Sequence, residues 1–180
     1  MGYYPSSCEE QIPAHNCDPC APREYGRIRS VALVSNTFTF VDITDPTEWQ
    51  TGINAGKIIV IPQTNGELSE PSEITGTGYG DTTETLVGYE FTAMYADPNY
   101  AENCDFYNAL VGQRNFKFVY RTSSKIHLTP VTATIIPKTT IANDLNAEVV
   151  WNVTIKWKSS EFPCPTNIPE GIFDECYIQS

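Results

Sequence analysis

The chain has 180 residues and a formal charge of −11, from 22 acidic and 11 basic side chains. That balance argues against gripping nucleic acid, which needs a basic surface, and no stretch approaches the ~20 apolar residues of a membrane-spanning helix. Aromatics make up 12% of the sequence, and a chain of this size is expected to form one domain whose core needs no metal or disulfide staple.

Residues 1–24 are rich in Pro, Cys and charge and carry no period, so they read as an N-terminal arm. The opening Met1-Gly2-Tyr3-Tyr4-Pro5 has neither the basic region nor the apolar core of a secretory signal, nor the Ser or Thr of a myristoylation motif. The expectation is a protein made and used in a cytoplasm, or in a particle assembled there. Cys17 and Cys20 form a lone C-x-x-C, with Cys8 and His15 nearby. A structural zinc usually takes two such pairs, and Cys164 or Cys176 would complete a set only if the termini meet. Free thiols are expected, with a metal site or a disulfide as alternatives. No metal or cofactor is assigned.

Residues 28–34 open the sheet, and 35–37 turn into a second strand over 38–43. Asp45-Pro46-Thr47-Glu48 then carries an N-cap Asp, Pro at the first helical position and Glu at the third, as in a capping box. It predicts a short helix through Trp49 and Ile53 that ends near Gly56. Residues 57–61 form a strand stopped by Pro62. Residues 63–85 read as a long loop, with Gly66, Pro71, Gly76, Gly78 and Gly80 and the acids Glu67, Glu70, Glu73, Asp81 and Glu84. Loops beyond about 12–15 residues are usually functional or disordered, and contact with neighbouring copies, or else tight packing within the chain, is expected to hold this one. The Gly76-Thr77-Gly78-Tyr79-Gly80 run lacks the Lys-Ser/Thr of a phosphate-binding loop and opens no helix, so it reads as flexible.

From 86 to 95, Val87, Tyr89, Phe91, Ala93 and Tyr95 share one side, a period of two that marks a half-buried strand. Asp97-Pro98 repeats the N-cap signal. Tyr100, Cys104, Tyr107 and Val111, with Phe106 and Leu110, make an apolar stripe on a helix over 99–111. Cys104 thus reads as a small core hydrophobe, and Gly112 suits the left-handed residue past the helix end. Phe116, Phe118 and Tyr120 mark the next strand, Ile126 and Leu128 its partner, and 131–136 continues in β-favouring residues. The closing strand has Val149, Trp151, Val153, Ile155 and Trp157 on one face and Val150, Asn152, Thr154, Lys156 and Lys158 on the other. A one-residue slip would expose both tryptophans. Pro163, Pro165 and Pro169 bar helix or central strand from 159–180, which reads as a C-terminal arm.

These elements predict a mainly β protein, a small β-sandwich or barrel spanning residues 25–158 with one packed α-helix and extended terminal arms. No catalytic constellation is found, and the chain reads as a non-enzyme. His15 and His127 lack a Ser or Asp pattern that suggests a nucleophile and its base, and His127 sits in a strand between apolar residues. Glu9-Glu10 and the loop carboxylates lack a context for acid–base work, which disfavours a hydrolase. Asn152-Val153-Thr154 matches a glycosylation sequon but falls inside a central strand. Trp49, Trp151 and Trp157 suggest the alternative of a monomeric carbohydrate-binding β-sandwich, although the alternation sends the last two to the core.

The order over 88–157 resembles the tail-tube proteins of bacteriophages and contractile injection systems. The matching stretches are Gly88-Tyr89-Glu90-Phe91-Thr92-Ala93-Met94-Tyr95, the helix 99–111, and the strands 116–121 and 148–158, about 40% of the chain. The resemblance implies a virion structural protein, assembled in the bacterial cytoplasm. It implies hexameric rings whose sheets join into one inner barrel, stacked as a tube or set singly as a tail or head–tail connector ring. DNA would pass through the lumen without specific binding, and other tail or connector proteins would be partners. Residues 1–24, 63–85 and 159–180 would make inter-ring contacts. The acidity fits such a lumen. Lys156 and Lys158 do not, which turns the polar face of the closing strand outward or sideways.

Overall fold

The computed structural model describes residues 13–77 and 84–174. Cys8, Glu9-Glu10, Gly78, Gly80, Asp81 and Cys176 lie outside the described residues. In chain order the elements are β1 (Ser30–Ser35), α1 (Pro46–Asn54), β2 (Ile58–Ile61), β3 (Asn65–Leu68), β4 (Ser72–Thr77), β5 (Glu84–Asp97), α2 (Cys104–Leu110), β6 (Phe116–Arg121), β7 (Lys125–Leu128), β8 (Thr134–Thr139), β9 (Trp151–Ser159) and β10 (Pro165–Asn167). The protein is mainly β. One antiparallel sheet runs β10-β7-β6-β1-β2; the other runs β3-β5-β9-β8, with β4 also on β5.

Two bent strand pairs join the sheets at their sides, as corner strands do in orthogonal sandwiches. β2 pairs with β1, then bends at Pro62 into β3, which pairs with β5. At the bend, Ile28 and Gly66 exchange both backbone hydrogen bonds, at 2.9 and 3.0 Å. β7 pairs with β6, and β8, the next strand along the chain, pairs with β9. The Ala133 N–H donates to the Phe116 carbonyl at 2.9 Å on that side. The result is a sandwich with barrel-like closure.

The alternation of β9 sets the core. Trp151, Val153, Ile155 and Trp157 are buried while Lys156 and Lys158 are exposed. With Phe91, Ala93 and Tyr95 of β5, Val31 and Leu33 of β1, and Phe118 and Tyr120 of β6, they fill the space between the sheets. Phe91 stacks on Trp157 at 5.1 Å and 5°. Tyr107 and Leu110 of α2 complete this cluster. A second cluster lies on the other face of the β1 sheet. There Ala32, Val34, Ile58, Val60, Val119 and Ile126 meet Trp49 and Ile53 of α1 and Ile172 and Phe173 of the C-terminal segment.

The structure corrects several expectations. Residues 38–43 form no strand. Phe38 and Phe40 pack on the second cluster, and the Val41 and Asp42 N–H groups donate to the Glu48 carboxylate at 2.9 and 3.1 Å. Glu48 is thus spent on an upstream loop rather than closing a capping box, although Asp45 does cap α1 by accepting from the Thr47 N–H at 2.9 Å. The described part of residues 63–85 is largely strand, in β3, β4 and the start of β5, and Gly76 and Thr77 belong to β4. α2 begins at Cys104 rather than at 99. Val111 is 63% exposed and Cys104 is exposed, so Cys104 is no core residue. Gly112 has φ +70°, as its position past the helix required.

The C-terminal segment is not a free arm as far as residue 174. β10 pairs with β7 at the sheet edge, the place a Pro-containing strand is tolerated. Ile172 and Phe173 are 3% and 2% exposed. Residues 13–27 of the N-terminal segment are exposed throughout.

Candidate assembly surface

The long strand β5 outruns its neighbour. Its pairing with β9 stops at Tyr89, opposite Ser159, whereas its pairing with β4 continues to Glu84, opposite Thr77. Residues 84–88 and 74–77 therefore continue past β9 as a two-stranded ribbon, with a register shift between Ile74 and Thr75. Leu86 and Val87 on this ribbon are 49% and 63% exposed. An isolated two-stranded ribbon is marginally stable in water. Exposed apolar residues on it favour contact with another surface.

The sheet that carries the ribbon has two margins. On one, β4 pairs only with β5. On the other, β8 pairs with β9, and Ile135 also exchanges backbone hydrogen bonds with Gly112 and Gln113 at 3.1 and 3.2 Å. Beyond Ile135 no strand pairs with the outer side of β8 among the described residues. These margins differ in charge. β3, β4 and the link between them carry Glu67, Glu70 and Glu73 with no basic residue; the margin strand β8 carries Lys138 and no acid, and Lys156 and Lys158 stand one strand inside it on β9, Lys158 opposite Glu90 of β5. The three lysines and Glu67, Glu70 and Glu73 are exposed. Between residues 58 and 113 the sequence contains no Lys or Arg at all.

Sequence-predicted candidates are scattered. Trp49 is fully buried and its Nε1 donates to the Ile43 carbonyl at 2.7 Å. Trp151 Nε1 donates to the Tyr100 carbonyl at 2.9 Å, and Trp157 is 3% exposed. None of the three presents a face to a sugar. His127 stacks on Tyr120 at 4.7 Å and lies 3.3 Å from the Thr122 hydroxyl through Nε2. Burial holds its imidazole below the usual value, against the opposing pull of the Pro163 carbonyl and Glu24. The hydroxyl beside it, that of Thr122, donates to the Glu24 carboxylate at 2.7 Å rather than to the imidazole. Asn152 lies on β9, paired on both sides by β5 and β8. Cys17, Cys20, Cys104 and Cys164 are free and exposed. Among the described residues no three His, Cys, Asp or Glu side chains converge as metal ligands.

Two polar clusters escaped the sequence reading, and both are structural. Asp97 is 3% exposed. It accepts from the Asn99 N–H at 3.0 Å, Asn103 Nδ2 at 3.1 Å and the Tyr107 hydroxyl at 2.6 Å. The N-cap signal had marked this residue, but its carboxylate ties the turn before α2 to the core instead. Burial first, then the neighbouring Tyr95 and Asp97, push the Tyr107 phenol far above its ordinary value. Beside Asp97 runs a groove of about 410 Å³, lined by Ile58, Ile59, Pro62, Asn99, Asn103 and Phe106 among others. It contains no acid–base pair aimed at a common point.

In the second cluster, Glu24 clasps the β6–β7 turn. Its carboxylate accepts from the Thr122 hydroxyl at 2.7 Å, the Ser123 hydroxyl at 2.8 Å, the Ser124 N–H at 2.7 Å and the Ser124 hydroxyl. The Ser124 hydroxyl and N–H, then Thr122, hold this carboxyl well below the usual carboxylate range. A lone Glu in an aperiodic segment gave no sequence signal for this role.

No known protein family matches this chain, and no characterised protein or solved structure shows detectable similarity to it.

Proposed function

We propose that this protein is a self-assembling structural protein whose copies join side by side through opposite margins of the ribbon-bearing sheet. The observation that carries this reading is the charge polarity of that sheet, acidic along β3–β4 and basic along β8–β9. Opposite margins of opposite charge give a head-to-tail contact. Such a contact repeats in one direction and closes into a ring where its rotation divides the circle. Pairing of the margins also hides backbone edges that otherwise invite aggregation, and complementary charge sets register and speeds association.

Within this reading the setting we favour is the virion of a bacteriophage, as a ring of the tail tube or of the tail–head connector. The strand–turn–helix–hairpin–closing strand order supports it, and so do the projecting ribbon and the net charge of −11. A conduit of that charge repels the DNA backbone and lets DNA slide. Ile168, Ile172 and Phe173 of the C-terminal segment have no part in the assembly, because they are spent on the protein's own body. The ribbon takes the contacts between rings.

Charge exchange between variants tests the reading. One variant carries Glu67→Lys, Glu70→Lys and Glu73→Lys; the other carries Lys138→Glu, Lys156→Glu and Lys158→Glu. Each alone is expected to stay smaller than the wild type in size-exclusion chromatography with light scattering, and an equimolar mixture to recover mixed oligomers. Wild-type-like assembly by both single variants would remove the charged margins from the account. Replacing Leu86 and Val87 by Ser is expected to leave single rings intact and abolish their stacking.

A further inference from the structure

The exposed N-terminal segment holds the C-x-x-C pair in a shaped turn, and nothing in the assembly reading uses it. The Asp18 N–H donates to Asn16 Oδ1 and the Cys20 N–H to Asp18 Oδ1, each at 2.9 Å, and the Ala21 N–H donates to the Asp18 carbonyl at 3.2 Å. The imidazole of His15 sits against one of the two thiols, with Nδ1 3.0 Å from Cys17 Sγ. Cys20, Cys104 and Cys164 are also free and exposed, but among the described contacts none of them has an imidazole beside it. Cys104 meets only the Asn108 amide, at 3.5 Å.

The geometry points to Cys17 as a reactive thiol and to Cys17–Cys20 as a dithiol that small aliphatic disulfides, of the oxidised glutathione class, convert to an intramolecular disulfide. The thiolate is the attacking species in such exchange. His15 Nδ1 takes the Cys17 proton as Sγ attacks one sulfur of the small disulfide. That S–S bond breaks, one small thiolate leaves and takes up the proton, and a mixed disulfide remains on Cys17. Cys20, three residues on, then loses its proton to solvent and attacks Cys17 Sγ. The Cys17–Cys20 bond forms and the second small thiol departs. The protein dithiol loses two electrons and two protons, and the small disulfide gains both.

The other exposed thiols serve as internal controls. In a short pulse of iodoacetamide on the full chain, followed by peptide mass mapping, Cys17 is expected to alkylate about tenfold faster than Cys104 and Cys164, because His15 Nδ1 stands 3.0 Å from its sulfur to take the proton as it attacks. His15→Asn is expected to bring Cys17 down to their rate. With oxidised glutathione, the wild type is expected to lose two thiols from the peptide holding Cys17 and Cys20 without retaining glutathione. Cys20→Ser is expected to hold glutathione on Cys17. Equal alkylation rates at the three cysteines, or glutathione settling on Cys104 or Cys164 ahead of Cys17, would overturn the assignment. So would a bond from Cys17 to any cysteine other than Cys20. The segment lies outside the core clusters, so none of the variants tests folding.

Discussion

Gly66 stands where the chain passes from one sheet to the other. A Cβ built there would lie 2.4 Å from the Met94 carbonyl oxygen and 2.8 Å from Tyr95 Cβ. Neither neighbour is the free end of a flexible side chain, so the backbone itself must move. Gly66→Ala is therefore expected to cost about 2 kcal/mol in urea denaturation, within the range of overpacking. A neutral result would mean that the two sheets are joined less closely at this corner. Glu24 gives the pH-dependent counterpart. Its folded-state pKa is depressed below the ordinary 4.5 by the Ser124 and Thr122 donors, so its clasp is complete above that value and fades as pH falls below it. Hydrogen exchange at the Ser124 amide, corrected for intrinsic rate, is expected to show protection at pH 6 that declines as pH is lowered below about 4.5. Protection that rises on acidification would contradict the sign.

At the scale of elements, the second core is as much a product of the C-terminal segment as of α1. Trp49 and Phe173 meet edge to face at 5.2 Å, and Phe173 is 2% exposed. Phe173→Ala is expected to destabilise the fold by about 3 kcal/mol, read from the shift in denaturation midpoint. A free arm would lose nothing. This segment was illegible in the sequence because prolines at 163, 165 and 169 obscure an edge strand and a buried Ile-Phe pair. The closing strand was legible because five apolar residues recur at a period of two with residues between them that are polar from Asn152 on. Residues 38–43 mislead for the same reason. Phe38 and Phe40 look like one strand face, yet they and Ile43 pack on Trp49 and its neighbours while Glu48 satisfies two of the backbone N–H groups. The reverse error hid β3 and β4, since glycines and acids resemble a loop until β5 supplies a partner. Of the assembly surface, the acids of 63–85 and the lysines of the closing strand were visible from the start. Their placement toward opposite sides of one sheet, the lysines of β9 one strand in from β8, needed the pairing of β3, β4 and β8.

At the scale of the molecule, the proposed assembly rests on one asymmetry. A sheet with acids along β3–β4 and lysines on β8 and the neighbouring β9 is poorly matched to a two-fold dimer, in which each patch meets its own copy. It is matched to a repeating contact. Because the charges are exposed, salt weakens their attraction over a screening length of about 8 Å at physiological ionic strength. The exposed ribbon adds apolar contact that salt does not weaken.

The most direct test is sedimentation velocity of the full chain over a range of micromolar concentrations, at low and at high salt, with negative-stain images of the same samples. The account predicts a closed oligomer of fixed size that appears as rings or short tubes and shifts toward smaller species as salt rises. A single monomer boundary at every concentration and salt would contradict it.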